Sequence, residues 1–197
     1  MKKKTFALLL SLVLVFGVIA GGTLAWLTAK SETVTNTFTA SDINVELTET
    51  GATNNENSYK MIPGYTITKD PEAKVLAGSE ECYLFVKLEK SANFGDFMTY
   101  AIADGWTQLT TDKDGKAITD LIYSREVLTA NMGTAYSVLA NNQVTVKSSV
   151  TKANMNALTA QTYPTLKVTA YASQLHKNGT AGDNFSAAEA WANVGVN

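Results

Sequence analysis

The run Cys82-Tyr83-Leu84-Phe85-Val86-Lys87-Leu88-Glu89-Lys90 decides the fold class. Successive side chains of an extended strand point to opposite sides. Cys82, Leu84, Val86 and Leu88 therefore share one face, and Tyr83, Phe85, Lys87 and Glu89 share the other. Working outward, the same period of two recurs. Ile43, Val45 and Leu47 alternate with Asn44, Glu46 and Thr48, and Val34, Asn36 and Phe38 alternate with Thr33, Thr35 and Thr37. Further strands are expected over 65–68, 105–110, 117–124, 136–139, 143–150 and 166–173. Thr residues run through these segments, and β-branched side chains suit a pleated, half-buried surface.

Turn chemistry separates the strands. Pro63-Gly64 is a turn that leads into Tyr65, the polar stretch 49–58 reads as an exposed loop, and Asp112-Lys113-Asp114-Gly115 reads as a hairpin connection. Helices are few and short. They are expected over 94–103, over 152–158, and from Ser186, where Glu189 stands at the capping-box position. Many short strands with few helices predict a mainly β protein, an antiparallel sandwich or jelly roll. Trp106 and Trp191 are expected to anchor its core.

The N-terminus carries a different pattern. Lys2, Lys3 and Lys4 precede an apolar stretch, 5–20, and the small residues Gly21-Gly22-Thr23-Leu24-Ala25 follow it. This is the layout of a secretory signal peptide, a hydrophobic helix cut between Ala25 and Trp26. The competing reading is a retained anchor, since the 25 residues between Lys4 and Lys30 are uncharged and long enough to span a bilayer. Gly17, Gly21 and Gly22 interrupt that run and favour cleavage. The expected organisation is a signal peptide over 1–25 and one sandwich domain over 26–197.

Composition narrows the function. The full chain has 16 Lys+Arg against 18 Asp+Glu. Loss of the three leader lysines leaves 13 against 18, a net charge of −5 on 172 residues. A single Arg on an acidic chain argues against a nucleic-acid surface. The lone Cys82 can form neither an internal disulfide nor a zinc knuckle, and within an apolar strand it is expected to be buried and inert. The lone His176, beside Lys177-Asn178-Gly179, lacks any HExxH-like spacing and reads as a surface-loop residue. Asp112 and Asp114 open like a calcium loop, but the twelfth position is Tyr123 where a bidentate Glu is needed. Asn178-Gly179-Thr180 matches the glycosylation sequon and reads as a polar turn. No catalytic residue, metal ligand or cofactor is expected.

Two blocks carry a resemblance. Gly21-Gly22-Thr23-Leu24-Ala25-Trp26-Leu27-Thr28, followed by Thr35-Asn36-Thr37-Phe38-Thr39-Ala40, resembles the start of secreted proteins of the TasA/camelysin family of Gram-positive bacteria. Met61-Ile62-Pro63-Gly64-Tyr65-Thr66-Ile67-Thr68-Lys69 is similar to that family's Pro-Gly-Asp turn, with Tyr65 in place of the Asp. Ala187-Ala188-Glu189-Ala190-Trp191 is similar to a block of its clostridial-type members. The resemblance implies a jelly-roll-like sandwich exported through Sec, cut by a SipW-type signal peptidase, and located in the extracellular matrix or at the cell surface. It further implies self-association into biofilm-matrix fibres, with other matrix or surface proteins as partners and membrane contact only before cleavage. Camelysin-type members are described as metalloendopeptidases, but no zinc-site spacing supports carrying that activity over. A cell-surface binding or adhesion module is the alternative.

Physics gives the assembly idea its own footing. A segment freed by cleavage, 26–40, with Val34, Asn36 and Phe38 alternating, can add as a strand to an open sheet edge. Pairing of the same residues within their own sandwich is equally compatible with the pattern.

Overall fold

The computed structural model describes residues 42–52, 57–179 and 181–195, all within one compact unit, Ala40–Asn197. The signal peptide, the Ala25–Trp26 cleavage site, the strand candidates Val34, Asn36 and Phe38, and Thr180 of the sequon lie outside the described residues.

In chain order the elements are β1 (Val45–Thr48), β2 (Thr66–Thr68), β3 (Glu72–Val75), β4 (Cys82–Lys90), α1 (Phe94–Phe97), β5 (Met98–Thr99), β6 (Thr107–Gln108), β7 (Leu121–Val127), β8 (Ala135–Ser137), β9 (Gln143–Val146), α2 (Lys152–Asn156), β10 (Leu166–Gln174) and α3 (Ala187–Asn193). The strands form three sheets, ordered β1-β3-β8, β10-β4-β7-β6 and β2-β9-β5. Every pairing between them is antiparallel. The protein is thus mainly β, with a few short helices.

The fold is organised around β4 because one of its faces is wholly apolar along 82–88 and the other buries Phe85. Cys82, Leu84, Val86 and Leu88 are 0–3% exposed. They share the main core cluster with Ala73 and Val75 of β3, Val127 of β7 and, more loosely, Val45 and Leu47 of β1 and Val168, Ala170 and Ala172 of β10. On the opposite face Phe85 is fully buried with Leu109, Ile122 and Ala190. There α3 covers the sheet, and its Trp191 ring meets Phe85 edge-on at 5.2 Å and Tyr171 at 5.4 Å. A smaller cluster of Ile67, Phe97, Val146 and Val150 fills the third sheet.

Helix ends follow local chemistry. Ser186 Oγ accepts from the Glu189 N–H at 3.2 Å while Glu189 Oε2 accepts from the Ser186 N–H at 2.8 Å, the reciprocal box that satisfies two orphan donors. Thr151 and Asn154 do the same for α2.

Several expected spans are corrected. The helix expected over 94–103 stops at Phe97, because Met98 turns extended to pair with Val146 of β9. The strand expected over 117–124 lies later, at Leu121–Val127, since its register is set by the pairing of Cys82 with Val127. Ala117 only bridges Thr111 at the base of the 112–115 turn. There Asp112 Oδ1 accepts from the N–H groups of Asp114 and Lys116. The strand expected over 143–150 ends at Val146, where its partners β2 and β5 run out. The strand over 105–110 shrinks to Thr107–Gln108. Strand β3 carries no sequence signal, because its four residues directly after Pro71 are too few to show a period.

Candidate functional site

Strand β10 is an edge of the four-stranded sheet, and its ladder shows what that edge offers. The Ser91 N–H donates to the Thr165 carbonyl at 3.0 Å, and the Leu175 N–H donates to the Glu81 carbonyl at 2.9 Å. These bonds bracket a continuous register from Leu166 opposite Lys90 to Gln174 opposite Cys82. In an antiparallel ladder alternate residues bond inward and outward. Odd-numbered residues of β10 therefore bond to β4, and Leu166, Val168, Ala170, Ala172 and Gln174 turn their N–H and C=O groups away from it. Among the described residues no strand pairs with that side.

Two further traits mark this edge. Val168, Ala170 and Ala172 face the main cluster yet remain half-buried, while Leu88, Val86 and Leu84 opposite them on β4 are almost completely buried. The strand also carries little of what blunts an edge. It spans nine residues without Pro or bulge, and its one charge, Lys167, is engaged by Glu89 at 3.5 Å. The other edges are short; β6 has two residues and β8 three.

His176 lies beside a surface turn, where a surface-loop residue is expected, but it has partners that the sequence does not show. It bridges Asn184 across a tight turn, and its ring lies between two acceptors. Nδ1 is 2.7 Å from Asn184 Oδ1, and Nε2 is 2.9 Å from Glu81 Oε2. Glu81 Oε1 accepts from both the backbone N–H and the hydroxyl of Thr129. Only an imidazolium donates from both nitrogens, so this pair of acceptors favours the charged ring. The Glu81 carboxylate, then Asn184, raises the His176 pKa above its ordinary 6.5, with Glu80 adding to the pull. The Thr129 N–H, then His176, lowers that of Glu81 from 4.5 to about 2.

The signs fix a pH window. The His176 contribution is complete below its unfolded pKa of 6.5 and fades as pH rises through the raised folded value. The Glu81 contribution is complete above 4.5 and fades as pH falls towards about 2. Wild type should therefore exceed His176→Gln in melting temperature most clearly near pH 5–6, and that advantage should shrink by about pH 8.5. Thermal melts at both pH values check this; a constant difference would contradict it.

The stretch expected as a solvated loop begins with a pin. Glu49 accepts from Lys69 at 2.9 Å, from Asn57 at 3.0 Å and from the Tyr59 hydroxyl at 2.8 Å. Cys82 is fully buried, and burial pushes its thiol up to about 11, as the reading of an inert thiol requires. Trp106 and Trp191 both pack against core clusters.

The chain's one arginine, counted above only against a nucleic-acid surface, has a defined setting. Arg125 of β7 is half-buried against two rings, with its Cζ 3.8 Å from the centre of Tyr136 and 5.2 Å from that of Trp106. The Trp106 indole is held by its Nε1–H donating to the Ser137 carbonyl at 2.9 Å. Gly105 passes beneath with φ +84°, and a Cβ there would come within 2.5 Å of the guanidinium. Only glycine fits both demands.

The described chain is a mainly β protein whose nine-residue strand β10 has, among the described residues, no hydrogen-bonded strand on one side, although β1 passes close to it. Comparison with protein-family models, with curated proteins and with solved structures found no match in any of the three.

Proposed function

We propose that this is a secreted structural protein, a subunit of an extracellular biofilm-matrix fibre or surface layer. In this reading the sheets stack as a jelly-roll-like β-sandwich, and the N-terminal segment of one copy adds as a strand to the next. The observation that carries it is the β10 edge, with its outward backbone groups and half-covered apolar side chains. Such an edge takes an extended segment through main-chain bonds and alternate side chains. Val34, Asn36 and Phe38 supply that alternation, and two of the three are apolar. Cleavage between Ala25 and Trp26 by a SipW-type peptidase would release the segment, so assembly would follow export.

A cell-surface binding module is the second reading. It draws on Ile62 and Tyr65, both more than half exposed on either side of the Pro63-Gly64 turn.

Electron microscopy of purified protein discriminates the two. A chain beginning at Trp26 is expected to form filaments, and one beginning at Ser41 is expected to stay monomeric. If the chain beginning at Trp26 stays monomeric under all conditions, the fibre reading fails and the binding module remains.

A further inference from the structure

We propose that Arg125 is the anchor of a carboxylate-binding site. Its guanidinium has rings over it from Tyr136 of β8 and from Trp106 just before β6. Among the described residues it makes no hydrogen bond or ion pair. A guanidinium carries five N–H donors, all in its plane. The ring contacts leave its N–H donors without a protein partner, and a carboxylate can meet such a fork by two parallel bonds.

The surroundings fit that occupant. Arg125 borders an open cleft of about 390 Å³, shared with Gly105, Thr107, Ser124, Glu126 and Tyr83. That is room for a side chain or a small organic acid. Gly105 packs against the Nη2 end, where a Cβ would overlap the guanidinium. β6 pairs only with Tyr123 and Ser124, so the cleft opens where β7 runs on without it. Glu126 lines the same cleft, accepting from the Tyr83 hydroxyl at 3.0 Å. Adjacent strand residues point to opposite faces, so the Glu126 carboxylate, held by Tyr83, does not pair with the guanidinium and leaves its charge for a ligand.

The ring contacts also pre-pay part of the binding cost. A long, rotamer-rich side chain is already ordered before the ligand arrives, and pre-organisation of this kind strengthens binding without new contacts.

The chain's single arginine makes the test direct. In full-length protein labelled with ¹⁵N-arginine, the Nε–H of Arg125 is the one guanidinium signal. It is titrated at constant ionic strength with acetate, with a blocked Gly-Glu-Gly peptide, with the matching Gln peptide and with inorganic phosphate. Saturable shifts with acetate and the Glu peptide, but not with the Gln peptide, are expected. A response to the Glu peptide alone would assign the carboxylate to a peptide, and one to acetate alone to a free acid. Both support the site.

Arg125→Lys keeps the charge and loses the fork. It should weaken binding about tenfold, followed at the Trp106 indole N–H, while the Trp191 indole signal reports an intact fold. Shifts that never saturate, that phosphate reproduces equally, or that survive Arg125→Lys unchanged would each overturn the proposal.

Discussion

A Phe85→Ala variant is expected to lose about 3–5 kcal/mol of folding stability. Phe85 is among the largest fully buried side chains and sits where β4 meets α3. Its removal leaves a cavity ringed by Leu109, Ile122 and Ala190. The backbone cannot collapse into it easily, because β4 is paired on both sides by β10 and β7. The loss also takes the edge-on contact with Trp191 at 5.2 Å. Such ring pairs add about 0.5–1.5 kcal/mol beyond burial.

Domains of this kind hold about 5–15 kcal/mol in total, so the change removes a large share of the whole. The consequence should extend to α3. A helix of seven residues is far too short to persist alone. The Ser186–Glu189 box and the 3.2 Å Lys177–Glu189 pair secure its start, but its Trp191 end depends on Phe85 and Tyr171. Urea unfolding reads the first effect, and hydrogen exchange at Ala190 and Trp191 reads the second. Phe85→Leu, which keeps most of the volume, should cost about 1–1.5 kcal/mol. An alanine variant that loses under about 1 kcal/mol with α3 still protected would mean that the helix is held by its cap alone.

What the sequence made legible, and what it hid, follow from the reach of each signal. The two faces of β4 could be read directly, because nine residues of alternation assign Cys82, Leu84, Val86 and Leu88 to one side, and that side is buried. The burial of Phe85 on the other side depends on α3. The Ser186 box was equally plain, since a cap is a contact three residues long. Strand ends were less visible. Met98 leaves the helical pattern only because Val146, far along the chain, offers it a ladder. Val127 is a strand residue only because Cys82 stands opposite.

The same limit hid the sites. His176 looked idle because its partner Glu81 is 95 residues away. Arg125 looked ordinary because Trp106 and Tyr136 come to it from other elements. Its one available signal was scarcity, a lone arginine amid lysines. The β10 edge had no sequence signature as an edge, since the alternation of a strand does not say how many neighbours it has.

Ala170→Pro is expected to abolish filament formation while leaving the fold in place. The ladder assigns the Ala170 N–H to the outward side of β10, so proline there removes a donor that β4 does not use. Proline is tolerated on such an edge and cannot donate to an added strand. The neighbouring Thr169→Pro makes the comparison sharp. Thr169 pairs with Lys87 in the inward set, so the same ring there deletes a bond of the central ladder and should cost about 3 kcal/mol or more.

The pair therefore separates two quantities that most edge mutations confound. Ala170→Pro should keep its circular dichroism and most of its melting temperature yet stay monomeric in electron micrographs. Thr169→Pro should lose melting temperature first. Residue 170 is central to the edge, with Val168 and Ala172 offering outward groups on either side, so one proline interrupts any strand long enough to be held there. Filaments of undiminished yield from Ala170→Pro would show that copies meet at another surface. Strand addition at β10 would then be excluded even if the protein polymerises.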